Sequence, residues 1–182
     1  MEFTTERLDI RPLLLTDAED VYAIRSLESV AKWGRKSTID KSLSETVSWI
    51  QGPSPKKAYI RFAIREKHSP RVIGTLGVNL IPSPTAPEAG SRWEIGYGFH
   101  TCVWGRGYAT EAVRGFMGVW GALRPALEEG VDGDVRVLEG LFASADERNE
   151  RSGNVLRKCG FEVVGGFVDE IGRRNLDFGV FI

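Results

Sequence analysis

The most informative local pattern of the chain is WEIGYGFHTCVWGRGYATEAV, residues 93–113. Residues 92–99 have the composition of a β-strand, and from Gly107 onward apolar residues recur at helical spacing. The helical stripe consists of Ala109, Ala112, Val113, Phe116, Met117, Trp120 and Leu123. A loop with two glycines and an arginine separates the two patterns, so the segment predicts a strand, a glycine loop and a long helix.

This arrangement is suited to binding phosphate. The first N–H groups of a helix lack partners, and the helix dipole adds partial positive charge there. Gly105 and Gly107 let the main chain approach a bulky anion, and Arg106 adds a fixed charge. The loop is neither a Gly-x-x-x-x-Gly-Lys-Ser/Thr loop nor a Gly-x-Gly-x-x-Gly loop. A tight turn before a helix is the alternative interpretation.

The rest of the chain predicts alternating strands and helices in the order β-α-α-β-β-β-α-β-α-β-β, a mixed sheet with helices packed on it. The predicted strands are 7–13, 58–66, 71–81, 92–99, 134–145, 161–167 and 176–182. The predicted helices are 15–26, 42–52 (ended by Gly52 and Pro53), one from Gly107 that is ended by Pro125 and Gly130, and 149–160. Ser44 is the expected cap of the second helix, and Asn149 caps the last one.

Composition limits the function classes. The 182 residues fit one domain, 1–182, and the net charge of −1 gives no electrostatic case for nucleic acid or a membrane. No signal peptide or membrane-spanning run is recognisable, and the protein is expected in the cytoplasm. Cys102 and Cys159 have no metal or redox spacing and are expected as free thiols. With only two histidines, no metal site is expected.

Residues 93–113 resemble the central segment of the GNAT acetyltransferase superfamily, in which Arg/Gln-x-x-Gly-x-Gly/Ala wraps the pyrophosphate of acetyl-CoA. Here the pattern is Trp104-Gly105-Arg106-Gly107-Tyr108-Ala109. Trp in first place is familiar in the RimJ/RimL-like branch. The stretches TTERLDIRPLLLTDAEDVY (4–22) and NERSGNVLRKCGF (149–161) also resemble that branch. The resemblance implies an α/β (α+β) GNAT fold, with a mostly antiparallel sheet of about seven strands and about four helices.

The resemblance also implies an acetyl-CoA site. The pantetheine arm would lie along Tyr97 to Thr101 like an added strand, which suits the nearby glycines Gly96 and Gly98. The pyrophosphate would lie at residues 104–110, and Asn149 would bond the pantetheine arm as well as cap its helix. The expected cofactor-binding residues are Tyr97, Phe99, Thr101, Trp104, Gly105, Arg106, Gly107, Tyr108, Ala109, Thr110, Asn149 and Ser152.

Two residues are candidates for catalysis. Glu94 lies on the strand that would present the thioester and is the candidate base; the alternative is an exposed strand carboxylate or an ion pair with Arg92. Other carboxylates left open as the base are Glu111, Glu162 and Asp169. Many family members carry a tyrosine acid where this chain has Leu156, so Ser152 is the candidate partner of the leaving thiolate. A capping role is the alternative for Ser152.

The sequence therefore predicts an acetyl-CoA-dependent N-acetyltransferase whose acceptor is a primary amine, either a protein N-terminus or a small molecule. We expect direct attack, because the sequence suggests no cysteine–histidine nucleophile. The alternative is a CoA-binding sensor or scaffold without catalysis, and a homodimer is left open. Loops 28–41 and 82–92 are expected to shape the acceptor pocket. Three aromatic residues either line it or, as we favour, pack in the core: Trp33, Trp49 and Tyr59.

Overall fold

The computed structural model describes residues 1–52 and 59–182, which contain eight β-strands and five α-helices. The strands are β1 (Phe3–Thr4), β2 (Leu8–Pro12), β3 (Tyr59–Glu66), β4 (Val72–Pro82), β5 (Ser91–Phe99), β6 (Leu141–Asp146), β7 (Glu162–Val168) and β8 (Arg174–Val180). The α-helices are α1 (Ala18–Arg25), α2 (Glu28–Ala31), α3 (Leu43–Gln51), α4 (Tyr108–Glu128) and α5 (Glu150–Lys158). Short 3-10 helices span Leu15–Asp17, Pro87–Ala89 and Thr101–Val103.

All eight strands form one sheet in the order β1-β2-β3-β4-β5-β6-β8-β7. Every neighbouring pair is antiparallel except β5 and β6, which run parallel. The predicted mixed, mostly antiparallel sheet is thus confirmed. The two elements that the sequence patterns missed, β1 and α2, have only two and four residues, too few to show a periodicity.

Helix α4 packs its apolar stripe on one face of the sheet, as predicted. The indole of Trp120 meets the indole of Trp93 edge to face at 6.0 Å, and Phe116 contacts Phe62 of β3 at 6.0 Å between ring centroids. All four aromatic residues are almost fully buried. This packing fixes α4 against β5, and it thereby sets the position of the loop between them. None of the helices described is long and apolar enough to cross a membrane.

The structure corrects two predictions around α4. Of the two residues expected to end this helix, Pro125 lies inside it, and α4 continues to Glu128, two residues before Gly130. The Glu128 carboxylate accepts hydrogen bonds from Trp93 Nε1 (3.2 Å) and Arg124 Nε (2.7 Å), which hold the last turn. The predicted strand 134–145 begins only at Leu141. Gly140 has a left-handed φ of 99°, which interrupts an extended chain before that point.

Smaller differences concern α3 and its surroundings. The N-cap of α3 is Ser42 rather than Ser44, and Gly52, with a φ of 75°, ends the helix as expected. Pro53 and the predicted first strand residue Ala58 lie outside the described residues. The predicted helix 15–26 forms as a 3-10 turn followed by α1.

Candidate active site

The strands β5 and β6 diverge in the middle of the sheet. β4 pairs with β5 over the whole length of β5, from Ser91 to Phe99, whereas the only register pair between β5 and β6 in the described chain is Glu94 with Phe142. Beyond Glu94, one main-chain edge of β5 therefore faces a gap. The parallel strands β5 and β6 are each followed by a helix, α4 and α5, so their carboxyl ends form the kind of crevice in which open α/β sheets bind ligands.

The glycine loop lies at the far end of this edge. Gly105 and Gly107 have left-handed φ angles of 77° and 82°, and Gly107 is the N-cap residue of α4. A Cβ placed on Gly105 would meet no atom within 4 Å, so its surroundings are open. The loop can therefore accept a group larger than a water molecule beside the positive end of the helix dipole.

Contacts from the turn between β1 and β2 hold this loop in place. The Arg7 guanidinium donates to the carbonyl of Arg106 (3.0 Å) and forms an ion pair with Glu111 (2.6 Å), which also accepts from Thr5 (2.6 Å). Burial acts to raise the pKa of Glu111, but the hydrogen bonds from Thr5 and Arg7 outweigh it and lower that pKa below its usual value. Glu111 is thus an anchor of the loop, and the proposal of it as a base loses support.

The side chains of the expected cofactor-binding residues divide into two groups. Phe99 and Tyr108 are buried in the core, so only their main chains can face a ligand. The carbonyl of Phe99 accepts a hydrogen bond from Trp104 Nε1 (2.9 Å), and the Tyr108 hydroxyl bonds to Glu66. The members that are partly or fully exposed at the gap or loop are Tyr97, Thr101, Trp104, Gly105, Arg106, Gly107, Ala109, Thr110, Asn149 and Ser152.

A cavity of about 280 Å³ adjoins the loop, lined in part by Arg106 and His100. Here His100 Nδ1 lies 2.9 Å from the Sγ atom of the exposed Cys102. The interpretation that neither cysteine has a nearby histidine in the sequence is therefore wrong, because His100 stands two residues before Cys102 and contacts it. Cys102 itself comes after the end of β5. It stands five residues beyond Tyr97 along the chain, in the direction of the glycine loop.

Glu94 stands where β5 and β6 part, and it is held on both of its oxygens. Oε2 accepts hydrogen bonds from Arg92 (2.9 Å) and Ser144 (2.8 Å), and Oε1 accepts one from Arg35 (3.1 Å). Arg92 also pairs with Asp177 at 2.7 Å, and both of these side chains are 1% exposed. The ion pair with Arg92 is thus present. Oε1 is covered by the Arg35 side chain, which is itself 71% exposed, so displacement of Arg35 would open this oxygen to solvent or to an acceptor.

The segment that carries Arg35 is tied to the β7–β8 hairpin. The guanidinium of Arg173 donates to the carbonyls of Lys32 (3.2 Å), Gly34 (3.0 Å) and Arg35 (3.2 Å). It also pairs with Asp169 at 2.7 Å. Burial alone would raise the pKa of Asp169, but hydrogen bonds from Arg173 and from Asn175 lower it to about 2. Asp169 is therefore a structural carboxylate, which makes it a poor candidate for the base.

Bare main chain forms the surface beside Glu94. Gly96 and Gly98 share its face of the sheet, as the strand alternation predicts, since Trp93 and Ile95 face the core. A Cβ on Gly96 would meet nothing within 4 Å, and one on Gly98 would lie 3.9 Å from Val30 of α2. The segment 28–41 thus lies beside this surface, and its expected role in shaping an acceptor pocket stays a prediction, as does that of loop 82–92.

The structure also places the other residues named as alternatives for the site. Glu162 is exposed at the start of the edge strand β7. Trp49 packs against the small core cluster that contains Val21, so the core interpretation of this residue is right. Tyr59 donates its hydroxyl to the carbonyl of Gln51 (2.8 Å), and Trp33 is half-buried under the ammonium of Lys32.

On the opposite face, α5 begins at the gap. Asn149 caps the helix as predicted, its Oδ1 accepting from the amide of Ser152 at 3.2 Å. The Ser152 hydroxyl lies 2.9 Å from the hydroxyl of Tyr97, a contact that the sequence did not indicate. Leu156 is buried in the core. Ser152 lies on the α4 side of the sheet and Glu94 on the other side, and the gap between β5 and β6 lies between them.

The chain matches a family model and a known relative. Residues 7–162 match the family model of the acetyltransferase (GNAT) domain. Over 112 residues the chain is 33% identical to an uncharacterised N-acetyltransferase, p20, from Bacillus licheniformis; the match covers 60% of this chain and 60% of that protein.

Solved structures share the whole fold. RimL, the ribosomal L7/L12 alpha-N-protein acetyltransferase, in complex with coenzyme A superimposes with a TM-score of 0.75 at 15% identity, covering 100% of this chain and 98% of that one. The microcin C7 self-immunity acetyltransferase MccE, in complex with acetyl-CoA and AMP, gives 0.72 at 18% identity, with 97% and 93% coverage. At these identities the likeness concerns the fold, and a RimJ/RimL-like fold is what the resemblance predicted.

Proposed function

Because the chain belongs to the GNAT acetyltransferase family, we propose that it transfers the acetyl group of acetyl-CoA to a primary amine. The acceptor is a protein N-terminus or a small molecule, and residues 1–182 act as one domain.

The observation that carries the proposal is the free edge of β5, which runs from Glu94 to the glycine loop at the start of α4. An amide-bearing pantetheine arm fits such an edge because it can exchange main-chain hydrogen bonds with it. The open surroundings of Gly105 and the first N–H groups of α4 fit a pyrophosphate. Acetyl-CoA carries both groups, and with its phosphates at the loop its thioester would lie toward Glu94 and Ser152.

The chemistry then divides between the two faces of the sheet. A neutral amine on the Glu94 face attacks the thioester carbonyl, so that an N–C bond forms and the C–S bond breaks with its electron pair on sulfur. Glu94 accepts the proton that the nitrogen loses, through Oε1 or a water molecule. N–H groups on the free edge of β5 stabilise the carbonyl oxygen. Ser152 donates a hydrogen bond to the sulfur, which takes up a proton from solvent.

A second candidate function is a CoA-binding sensor without catalysis. The contact of Arg35 with Oε1 of Glu94 favours it, because this contact occupies the oxygen that a base would use. Both functions require acetyl-CoA binding, but only the enzyme consumes it in the presence of an amine.

The test is an acceptor panel. Purified protein and acetyl-CoA are incubated with peptides that have free N-termini, with lysine-type amines, with polyamines and with amino acids, and mass spectrometry detects acetylated products. The enzyme is expected to acetylate at least one class above the enzyme-free rate. Tight acetyl-CoA binding without any product would support the sensor.

A further inference from the structure

The side chain of Tyr97 reaches Ser152 across 55 residues of sequence. Its hydroxyl oxygen lies 2.9 Å from Ser152 Oγ and 3.3 Å from the Ser152 carbonyl oxygen. Ser152 is in the first turn of α5, where its amide donates to Asn149. Asn149 thus holds the amide of Ser152, and Tyr97 contacts its hydroxyl.

Either hydroxyl can donate in this contact, so the protonation of Tyr97 matters. Its ring packs against the main core, and burial raises the pKa of the phenol well above its usual value. Tyr97 therefore keeps its proton and has it available to donate. Ser152 Oγ is its nearer acceptor, and a phenol has one proton to give. When Tyr97 donates to Oγ, the proton of Ser152 is free to point elsewhere.

We propose that Tyr97 is a positioning residue that aims the hydroxyl proton of Ser152 at the departing sulfur of acetyl-CoA. This inference rests on the proposed function and extends it. As the C–S bond breaks, the sulfur carries the electron pair and accepts the hydrogen bond of Ser152, and Tyr97 keeps the serine oxygen in place. Tyr97 itself transfers no proton, and the thiolate is neutralised from solvent by a proton equivalent to the one that the amine loses.

A double-mutant cycle tests this role. kcat and the KM for acetyl-CoA are measured for the wild type, Tyr97→Phe, Ser152→Ala and the double variant, with an acceptor that the wild type uses. We expect Tyr97→Phe to lower kcat by about three- to tenfold, the effect of one hydrogen bond, with less than about a twofold change in KM. In the Ser152→Ala background the same change should have no further effect on kcat, because its target is gone.

Tyr22→Phe is the matched control, since it removes a phenol hydroxyl from the half-buried face of α1. Thermal unfolding of each variant separates a loss of folding from a loss of activity. An unchanged kcat in Tyr97→Phe, or losses that multiply in the double variant, would overturn the role of Tyr97 while the transferase function stands. A wild type that acetylates no amine would overturn both.

Discussion

The guanidinium of Arg35 donates a hydrogen bond to Oε1 of Glu94 at 3.1 Å, and it thereby covers the oxygen of Glu94 that is not engaged by Arg92 and Ser144. The segment of Arg35 is held by Arg173, whereas the Arg35 side chain is mostly exposed. A cationic group thus stands where the proposed acceptor, itself a cation before it loses a proton, must arrive.

Replacement of Arg35 tests this competition. Because an exposed ion pair is worth up to about 1 kcal/mol, we expect Arg35→Ala to lower the KM of a cationic acceptor by up to about fivefold. Lys36→Ala removes a positive charge from the same exposed segment and is the matched control. Steady-state kinetics of the acceptor measures both. An equal fall in KM for the two variants would indicate a general charge effect and contradict the competition.

The role of Glu94 as base depends on the pKa of the acceptor. At pH 7, deprotonating a lysine-type amine of pKa near 10.4 costs about 4.6 kcal/mol, and an α-amine near 7.7–8.0 costs about 1 kcal/mol. Glu94→Gln should therefore lower kcat/KM more for the first acceptor, and the loss should shrink as the pH rises.

The pH–rate profiles of both acceptors measure this effect. Ser144→Ala is the control, because it removes one hydrogen bond to Oε2 and keeps the carboxylate, so its profile should keep the wild-type shape. A Glu94→Gln profile with the height and shape of the wild type would exclude Glu94 as the base.

The proposed binding of the pyrophosphate at the glycine loop can be tested by placing a negative charge in the loop. A glutamate at Gly107 would place a carboxylate where the pyrophosphate is proposed to lie, so we expect Gly107→Glu to weaken acetyl-CoA binding by about tenfold or more. Gly160→Glu is the matched control. Gly160 has a φ of 86°, close to the 82° of Gly107, but it lies just beyond the C-terminal end of α5, away from the glycine loop. Calorimetric titration of folded variants decides it: unchanged affinity in Gly107→Glu would mean that the loop is only a turn.

Asp40 holds the end of the segment that carries Arg35, because it accepts from Arg25 (2.6 Å) and Thr46 (2.6 Å). Burial alone would raise the pKa of Asp40, but these hydrogen bonds lower it below its usual 3.8. A folded pKa below the unfolded one gives stability that is complete above the unfolded pKa and is lost as the pH falls through the folded pKa.

Asp40→Asn should therefore lower the free energy of unfolding at pH 7 by about 1.5–3 kcal/mol, the range for hydrogen bonds to a charged group. The difference from the wild type should narrow from about pH 4 downward. Denaturant unfolding at several pH values checks this, with Asp134→Asn in an exposed segment as the control. A difference that stays constant with pH would contradict the role of the ionised carboxylate.

The elements with local signals could be predicted from the sequence. The α4 stripe, the glycine loop and the Asn149 cap each depend on residues that are close in the chain. The start of β6 could not be predicted in this way. Apolar residues also occur in 134–140, and only the left-handed φ of Gly140 separates that segment from the strand.

Contacts between elements that are distant in the chain could not be predicted from the sequence either. The pairing of Tyr97 with Ser152 depends on where α5 meets β5, and the pairing of Arg35 with Glu94 depends on Arg173 holding the segment after α2. Neither has a periodicity or a motif. By contrast, the close spacing of His100 and Cys102 was visible in the sequence, and in the structure the two side chains are in contact.

In the proposed function, the edge of β5 and the first turn of α4 hold acetyl-CoA while an amine attacks it. Thiol release and amide formation can be followed in one reaction of the wild-type protein with acetyl-CoA and an amine. We expect equal amounts of free CoA and acetylated amine, both dependent on the protein and on the amine. Thiol release that stays at the level of the protein-free reaction with every class of amine would contradict this proposal.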